Sequence, residues 1–309
     1  MTYTEEYQLS VQHEFGNYLF DATYVGTATR HLSFASDINQ ATPSATALPR
    51  PNPTYQAINA TQYTGMANYN ALQLTGRCQL SHGFSCLLYY TWSKGLDTGT
   101  GTGGNGGASD FLQDSYHPAA NYAASGADVR NVTNGTLLYQ LPFGKGRKFL
   151  NDGGVVDAVL GGWQASTTYT YRSGLPFTPV MSGANNSNSL AGNWYPNRIR
   201  SGKLAHPTTA EWFDTTAFVT PATGTFGNSR RNILYGPNFA NFDVSIAKTF
   251  ALSQAHEAWK LQFKLDMFDV FNHPNYGQPN ANIGGGSTVG TITSNVTNRQ
   301  MQLAGVLRF

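Results

Sequence analysis

The side chains able to do chemistry in this chain are few and scattered. Its two cysteines, Cys78 and Cys86, are the only ones, and a tight hairpin between them would set their thiols face to face. There they could form a cross-strand disulfide in an oxidising compartment, or stand as two free thiols on an apolar face. The seven histidines, His13, His31, His82, His117, His206, His256 and His273, make no HExxH or paired-cysteine pattern, so no zinc centre is indicated. No GxSxG elbow occurs, which leaves a Ser/His/Asp hydrolase without its nucleophile. The glycine-rich run at 99–107 ends in no Gly-Lys-Ser/Thr and leads into no helical pattern, so it is not a phosphate loop. Asp266 and Asp269, close to Lys264, read as charges lining a water-filled interior. The expectation is a protein that is not an enzyme and carries no cofactor or metal.

Composition points the same way. Only 12% of the 309 residues are charged and 13% are aromatic, with 33 glycines, yet mean hydropathy is −0.33. A soluble domain usually carries about 25% charged residues. Transmembrane barrels combine few charges, many aromatics and low mean hydropathy, because their strands alternate apolar-out with polar-in. No run nears the ~18 apolar residues of a membrane helix. Residues 1–7 have neither a basic nor an apolar stretch, so an exported chain would have its true N-terminus upstream. A net charge of +2 with dispersed basic residues indicates no nucleic-acid partner.

The elements that must carry these residues are alternating strands. Residues 8–15 and 18–26 flank Gly16-Asn17. Pairing Phe15 with Tyr18 puts Leu9, Val11, His13, Phe15, Tyr18, Phe20, Ala22 and Tyr24 on one face and Ser10, Gln12, Glu14, Asp21 and Thr23 on the other. Further strands are expected at 70–80, 84–93, 131–142, 163–172, 239–250, 258–271 and 301–309, with one or two helical turns at 155–160. Between them, 27–68, 95–127, 173–238 and 272–298 read as long loops rich in Pro, Gly and small polar residues. About nine strands result, with short and long links alternating, an asymmetry that outer-membrane barrels show as short periplasmic turns and long extracellular loops. Trp92, Trp163, Tyr169, Tyr171 and Trp259 suit interface belts. Trp194 and Trp212, in the third loop, could instead help a carbohydrate platform.

Several stretches resemble the Oar-like TonB-dependent outer-membrane receptors, especially those of acidobacteria. They are Asn68-Tyr69-Asn70-Ala71-Leu72-Gln73-Leu74, Tyr90-Thr91-Trp92-Ser93-Lys94, Leu141-Pro142-Phe143-Gly144-Lys145-Gly146-Arg147, Gly161-Gly162-Trp163-Gln164, Arg172-Ser173-Gly174-Leu175-Pro176-Phe177, Gly227-Asn228-Ser229-Arg230-Arg231-Asn232 and Asp269-Val270-Phe271-Asn272-His273-Pro274-Asn275. The resemblance implies that residues 1–309 are the C-terminal portion of a receptor barrel of about 22 strands, without its plug and N-terminal regulatory-like domain. It implies an all-β, antiparallel transmembrane segment in the bacterial outer membrane, serving uptake of an organic nutrient of oligosaccharide or peptide class. The partners it implies are outer-membrane lipid, the barrel-assembly machinery, the missing strands and plug, and TonB through that plug. On the last strand Met301, Leu303, Gly305, Leu307 and Phe309 make the outward row that, in such barrels, serves as the assembly signal. An open sheet in hydrocarbon would leave roughly ten backbone groups unpaired on each edge, a cost of tens of kcal/mol. The chain is therefore expected to be a truncated or partial product. The alternative is a soluble secreted all-β binding or adhesion module, in which one face of each sheet packs a dry core.

Overall fold

The computed structural model describes the chain except residues 82, 100–111, 145–146, 152–153, 182, 184, 192–193 and 253–258. His82, His256 and the glycine-rich run beyond Gly99 lie outside the described residues. Nine long strands make one sheet: β1 (Tyr3–Phe15), β2 (Tyr18–Asp37), β3 (Asn59–Ser81), β4 (Phe84–Asp97), β5 (Asn131–Gln140), β6 (Trp163–Arg172), β7 (Phe239–Ala251), β8 (Lys260–Phe268) and β9 (Gln300–Arg308). Each pairs antiparallel with the next in chain order, and the two-residue strand Ala123–Ala124 adds to β4. The sheet does not close. Among the described residues β1 pairs only with β2 and β9 only with β8.

Registers follow the hydrophobic alternation. Phe15 opposes Tyr18 across the Gly16-Asn17 turn, where Gly16 takes a positive φ of 57° that a side chain would disfavour. Cys78 opposes Cys86. Because the period is two, one register carries the apolar row across the whole sheet. From Phe20 it passes through Gly76, Leu88, Gly135, Tyr169 and Phe242, and from Leu265 to Leu303 at the far edge.

The strands nearest the first edge are longer than the alternation shows. β2 runs to Asp37 and β3 begins at Asn59, so the expected loop at 27–68 shrinks to 38–58. At ~3.3 Å per residue β3 spans about 75 Å, roughly three times the ~25 Å apolar band. Its upper half projects beyond lipid, where pairing continues but apolar alternation is not required. His31 (φ 57°) marks an irregularity in that extension, between the Arg30 and Leu32 pairings. The expected strand at 258–271 stops at Phe268, because Asp269 turns the chain with φ 49°. The expected helical turns form as α1 (Val155–Leu160).

Among the described residues the buried hydrophobic cluster lies not behind the sheet but in the loops at one end of it. The third loop contains two small ladders, Pro176–Phe177 with Leu234–Tyr235 and Asn197–Arg198 with Phe218–Val219. Around them Phe177, Phe213, Ala217, Phe218 and Leu234 form a core, joined by Trp212 and by Ala281, Ile283 and Val289 of the fourth loop. The long connections are thus a folded cap, a level of order that their composition had not suggested.

Candidate functional site

The wall presents two chemically different surfaces. On the outward row Leu9, Phe20, Leu88, Leu137 and Leu303 are all exposed, which places no second layer over them. Aromatic residues bracket this row. Phe15, Tyr18, Phe84, Tyr139 and Trp163 lie at the short-link end, and Tyr24, Tyr90, Trp92 and Tyr171 stand six to eight residues further along their strands. That separation corresponds to about 15–20 Å of height at a tilt of ~40°, which falls within the ~25 Å apolar band that interfacial girdles flank and places these rings toward its two margins. Several hydroxyls at this upper level are bonded: Tyr7 and Tyr24 donate to Asn70 Oδ1 (2.9 and 2.8 Å), and Tyr90 donates to Asn131 Oδ1 (2.8 Å).

The opposite face is polar. Ser10 bonds Asp21 and Thr23 at 2.9 and 2.7 Å, Gln262 donates to Thr249 (3.2 Å), and Lys264 pairs with Asp266 (2.9 Å). A hollow of about 660 Å³ includes Arg77, Ser85, Thr136, Ser166 and Thr168 in its lining. Of the acidic pair singled out in the sequence, Asp266 lies on this inward face. Asp269 does not: it is buried in the turn after β8, taking the His273 N–H at 2.9 Å while its own N–H donates to Asp243 (2.9 Å). The two cysteines meet in register on the outward row with their thiols free.

The cap is stitched by buried polar side chains. Gln40 donates to the Gln113 carbonyl (2.8 Å) and accepts from Ser115 N–H (2.6 Å); Gln113 donates to the Gly227 carbonyl (3.0 Å) and accepts from Tyr195 N–H (2.9 Å). These two amides join three loops. Asp128, wholly buried, accepts from Lys94 (2.5 Å), Gly95 N–H (2.7 Å) and Tyr235 (2.9 Å). Arg231 is also buried and pairs with Asp97 while donating to the Asp97 carbonyl (2.6 Å). Paired charges of this kind hold loops in one geometry because leaving either partner unmatched is costly.

Two further carboxylates act at the margins. Burial pushes Asp37 up, but Arg50 (2.6 Å) and the N–H groups of Ile58 (2.8 Å) and Asn39 (3.0 Å) outweigh it and hold the group below the usual range. Asp214 is lowered by the Thr216 hydroxyl and by Arg200 (3.0 Å).

Trp194 and Trp212 do not offer an exposed platform. Trp194 is buried, and Trp212 packs on the cap core with its indole N–H on the Tyr235 carbonyl (2.9 Å). What the cap does offer is a cleft of about 400 Å³, lined in part by Asp114, His117, Tyr122, Asn228, Ser229 and Arg230. His117 bonds Asp114 at 2.7 Å. The buried Ser229 hydroxyl has no hydrogen-bond partner among the described residues. Such a lining supplies hydrogen-bond donors and acceptors together with side chains of both charges. Sequence reading missed this site, since its residues come from separate loops with no shared motif. Among the described residues no group of His, Cys, Asp and Glu could hold a metal ion, and no helix is long and apolar enough to cross a membrane.

An antiparallel wall, apolar outside and polar inside, crowned at one end by folded loops, defines an outer-membrane β-barrel protein. Residues 1–302 match the outer membrane beta barrel domain family, and the chain belongs to it. Its place is the bacterial outer membrane. Among solved structures it is similar to the outer-membrane transporter YddB of Escherichia coli, at 12% identity and a TM-score of 0.53, over 100% of this chain and 33% of that one. It is also similar to the pyoverdine receptor FpvA of Pseudomonas aeruginosa PAO1 (10% identity, TM-score 0.48, 98% and 29% covered). The FrpB iron transporter of Neisseria meningitidis is a further case (13%, 0.45, 98% and 30%). The chain spans about a third of the length of these transporters. No curated protein matches it.

Proposed function

We propose that this chain is the C-terminal part of the wall and the surface cap of a TonB-dependent receptor of the Oar-like, acidobacterial type, capturing an organic nutrient of oligosaccharide or peptide class. One observation carries the reading. The sheet is apolar outside and polar inside, yet both its edge strands lack partners among the described residues, and in hydrocarbon each unpaired backbone group costs several kcal/mol. Further strands complete the cylinder. A plug fills it and contacts TonB, so the chain supplies wall and ligand-facing loops but not the energised step. The cleft beside Ser229 and Arg230 is where a polar solute first docks, held by hydrogen bonds and not by covalent chemistry. The outward row Met301, Leu303, Gly305, Leu307 and Phe309 presents the barrel to the assembly machinery.

Production in the outer membrane of a Gram-negative host tests this reading. The chain joined to its complementary strands and plug migrates faster on a gel before heating than after, the signature of a closed barrel, while the chain by itself does not. A heat-modifiable chain in isolation would establish a self-contained small porin instead. Partition of the isolated chain into the aqueous fraction as a folded protein would restore the soluble binding module.

A further inference from the structure

At the short-link end of the wall three connections have two, two and eight residues, but the one between β5 and β6 has 22, residues 141–162. It contains α1, and α1 is inside out by the standards of a water-exposed helix. Val155 is 82% exposed, Val159 60% and Leu160 47%, with Val156 beside them, whereas its one charged residue, Asp157, turns inward. Against Asp157 lie Gly144 and Gly161; a Cβ on Gly144 would come within 2.7 Å of its carboxylate, and one on Gly161 would overlap it. The exposed Phe149 and Leu150 extend the apolar surface, and the exposed Arg147 and Lys148 border it.

Two side chains fasten α1, and both come from the outward row of the wall. The Trp163 indole N–H donates to the Val159 carbonyl (2.9 Å), and Lys248, the cross-strand partner of Trp163, donates to the Gly161 carbonyl. The Lys248 ammonium lies 5.7 Å from the centre of the Trp163 ring and 4.9 Å from that of Phe250, and Asp157 is near enough to act on its charge. A helix held from the outward face of the wall lies on the membrane side of its rim, continuous with the lower aromatic girdle.

We propose that α1, with Phe149 and Leu150, is an interfacial collar that inserts into the headgroup–acyl boundary of the periplasmic leaflet, with Arg147 and Lys148 reaching phospholipid phosphates. The occupant of this apolar surface is phospholipid, because the surface continues the lipid-facing row and carries cations at its border. An interfacial helix buries its apolar side some 5–10 Å into that boundary while basic side chains stay at headgroup level. The Trp163 and Lys248 bonds would hold the helix flat against the rim at the depth where aromatic girdles lie. The inference rests on the outer-membrane barrel reading.

A photoreactive benzoylphenylalanine tests both separately when placed, one at a time, at Val155, Val159, Leu88 or Thr208 of the complete receptor in a Gram-negative outer membrane. After irradiation, mass spectrometry should find phospholipid adducts at 155, 159 and the mid-wall position 88, and none at the cap position 208. Lipid adducts at 88 with none at 155 and 159 would overturn the collar and leave the barrel standing. Adducts from 155 and 159 to a second copy or to another protein would overturn it in favour of a docking surface. Absence of lipid adducts at all four positions would overturn the barrel reading as well. Val155 keeps the test valid if position 159 disturbs the bond from Trp163.

Discussion

Leu88 and Tyr89 are neighbours on β4 with nearly equal exposure, 50% and 46%, so accessibility alone cannot separate them. Register can. Leu88 stands between Gly76 and Gly135 on the outward row, midway between Phe84 and Trp92, while Tyr89 faces the interior between Thr75 and Asn134. An arginine at the mid-depth of the lipid face of an outer-membrane barrel costs about 2–4 kcal/mol, and a lumen-facing charge is tolerated. Since 1.4 kcal/mol is a factor of ten, Leu88→Arg should lower the folded-to-unfolded ratio roughly 30- to 700-fold. Tyr89→Arg, losing an aromatic ring but gaining water and polar neighbours, should cost roughly 1 kcal/mol or less. Urea titration of the complete receptor in lipid vesicles, followed by the heat-modifiable band, reads both values. Equal losses, or a larger loss at Tyr89, would refute the face assignment, because a slip of one residue reverses every side chain in the strand.

Three other outcomes follow from the geometry. Arg231→Ala strips the buried partner from Asp97, and should loosen the cap by roughly 2–4 kcal/mol, less than for a fully buried pair because Asp97 keeps some solvent contact; limited proteolysis would then cut the third loop while the strands stay resistant, and an unchanged digest would show the pair to be dispensable. Asp37 and Asp214 have lowered pKa values in the folded cap, so the native state binds their protons more weakly than the unfolded chain. Their stabilisation is complete above about pH 5 and fades as pH falls through about 4 and below, which hydrogen exchange of the first and third loops should record; increasing protection on acidification would reverse the sign. Thiol titration of unfolded, unreduced protein should find two free thiols, Cys78 and Cys86, as the structure has them; none would establish the cross-strand disulfide instead.

The wall was legible in the sequence because hydrocarbon enforces alternation on each strand that crosses it. Trp163–Arg172 is read to the residue for that reason, and the opposition of Cys78 to Cys86 follows from counting outward from Leu80 and Phe84 across the link Ser81-His82-Gly83, although the structure pairs Ser81 with Phe84 and recovers that register only past an irregularity between Cys78 and Ser81. Legibility ended with the lipid. The upper halves of β2 and β3 pair through Thr, Ala, Asn and Ser without an apolar row, so they read as loop. The cap core joins Phe177, Phe213 and Leu234 across more than fifty residues, and no local period announces such contacts. Buried amides such as Gln40 and Gln113, each satisfied by backbone groups of other loops, look in sequence like ordinary surface polar residues. Likewise Trp194 and Trp212 were open to a binding role until their burial was known, and the inward turn of Asp157 depends on glycines at Gly144 and Gly161 that allow close approach.

The most direct measurement is a nitroxide scan of positions 84 to 92 in the complete receptor in lipid vesicles, comparing relaxation by oxygen, which concentrates in acyl chains, with relaxation by a water-soluble nickel chelate. Even-numbered positions should favour oxygen and odd-numbered positions nickel, in unbroken alternation between Phe84 and Trp92. Protection of the even positions from both reagents would mean that they fill a dry protein interior, and the barrel wall would have to be abandoned.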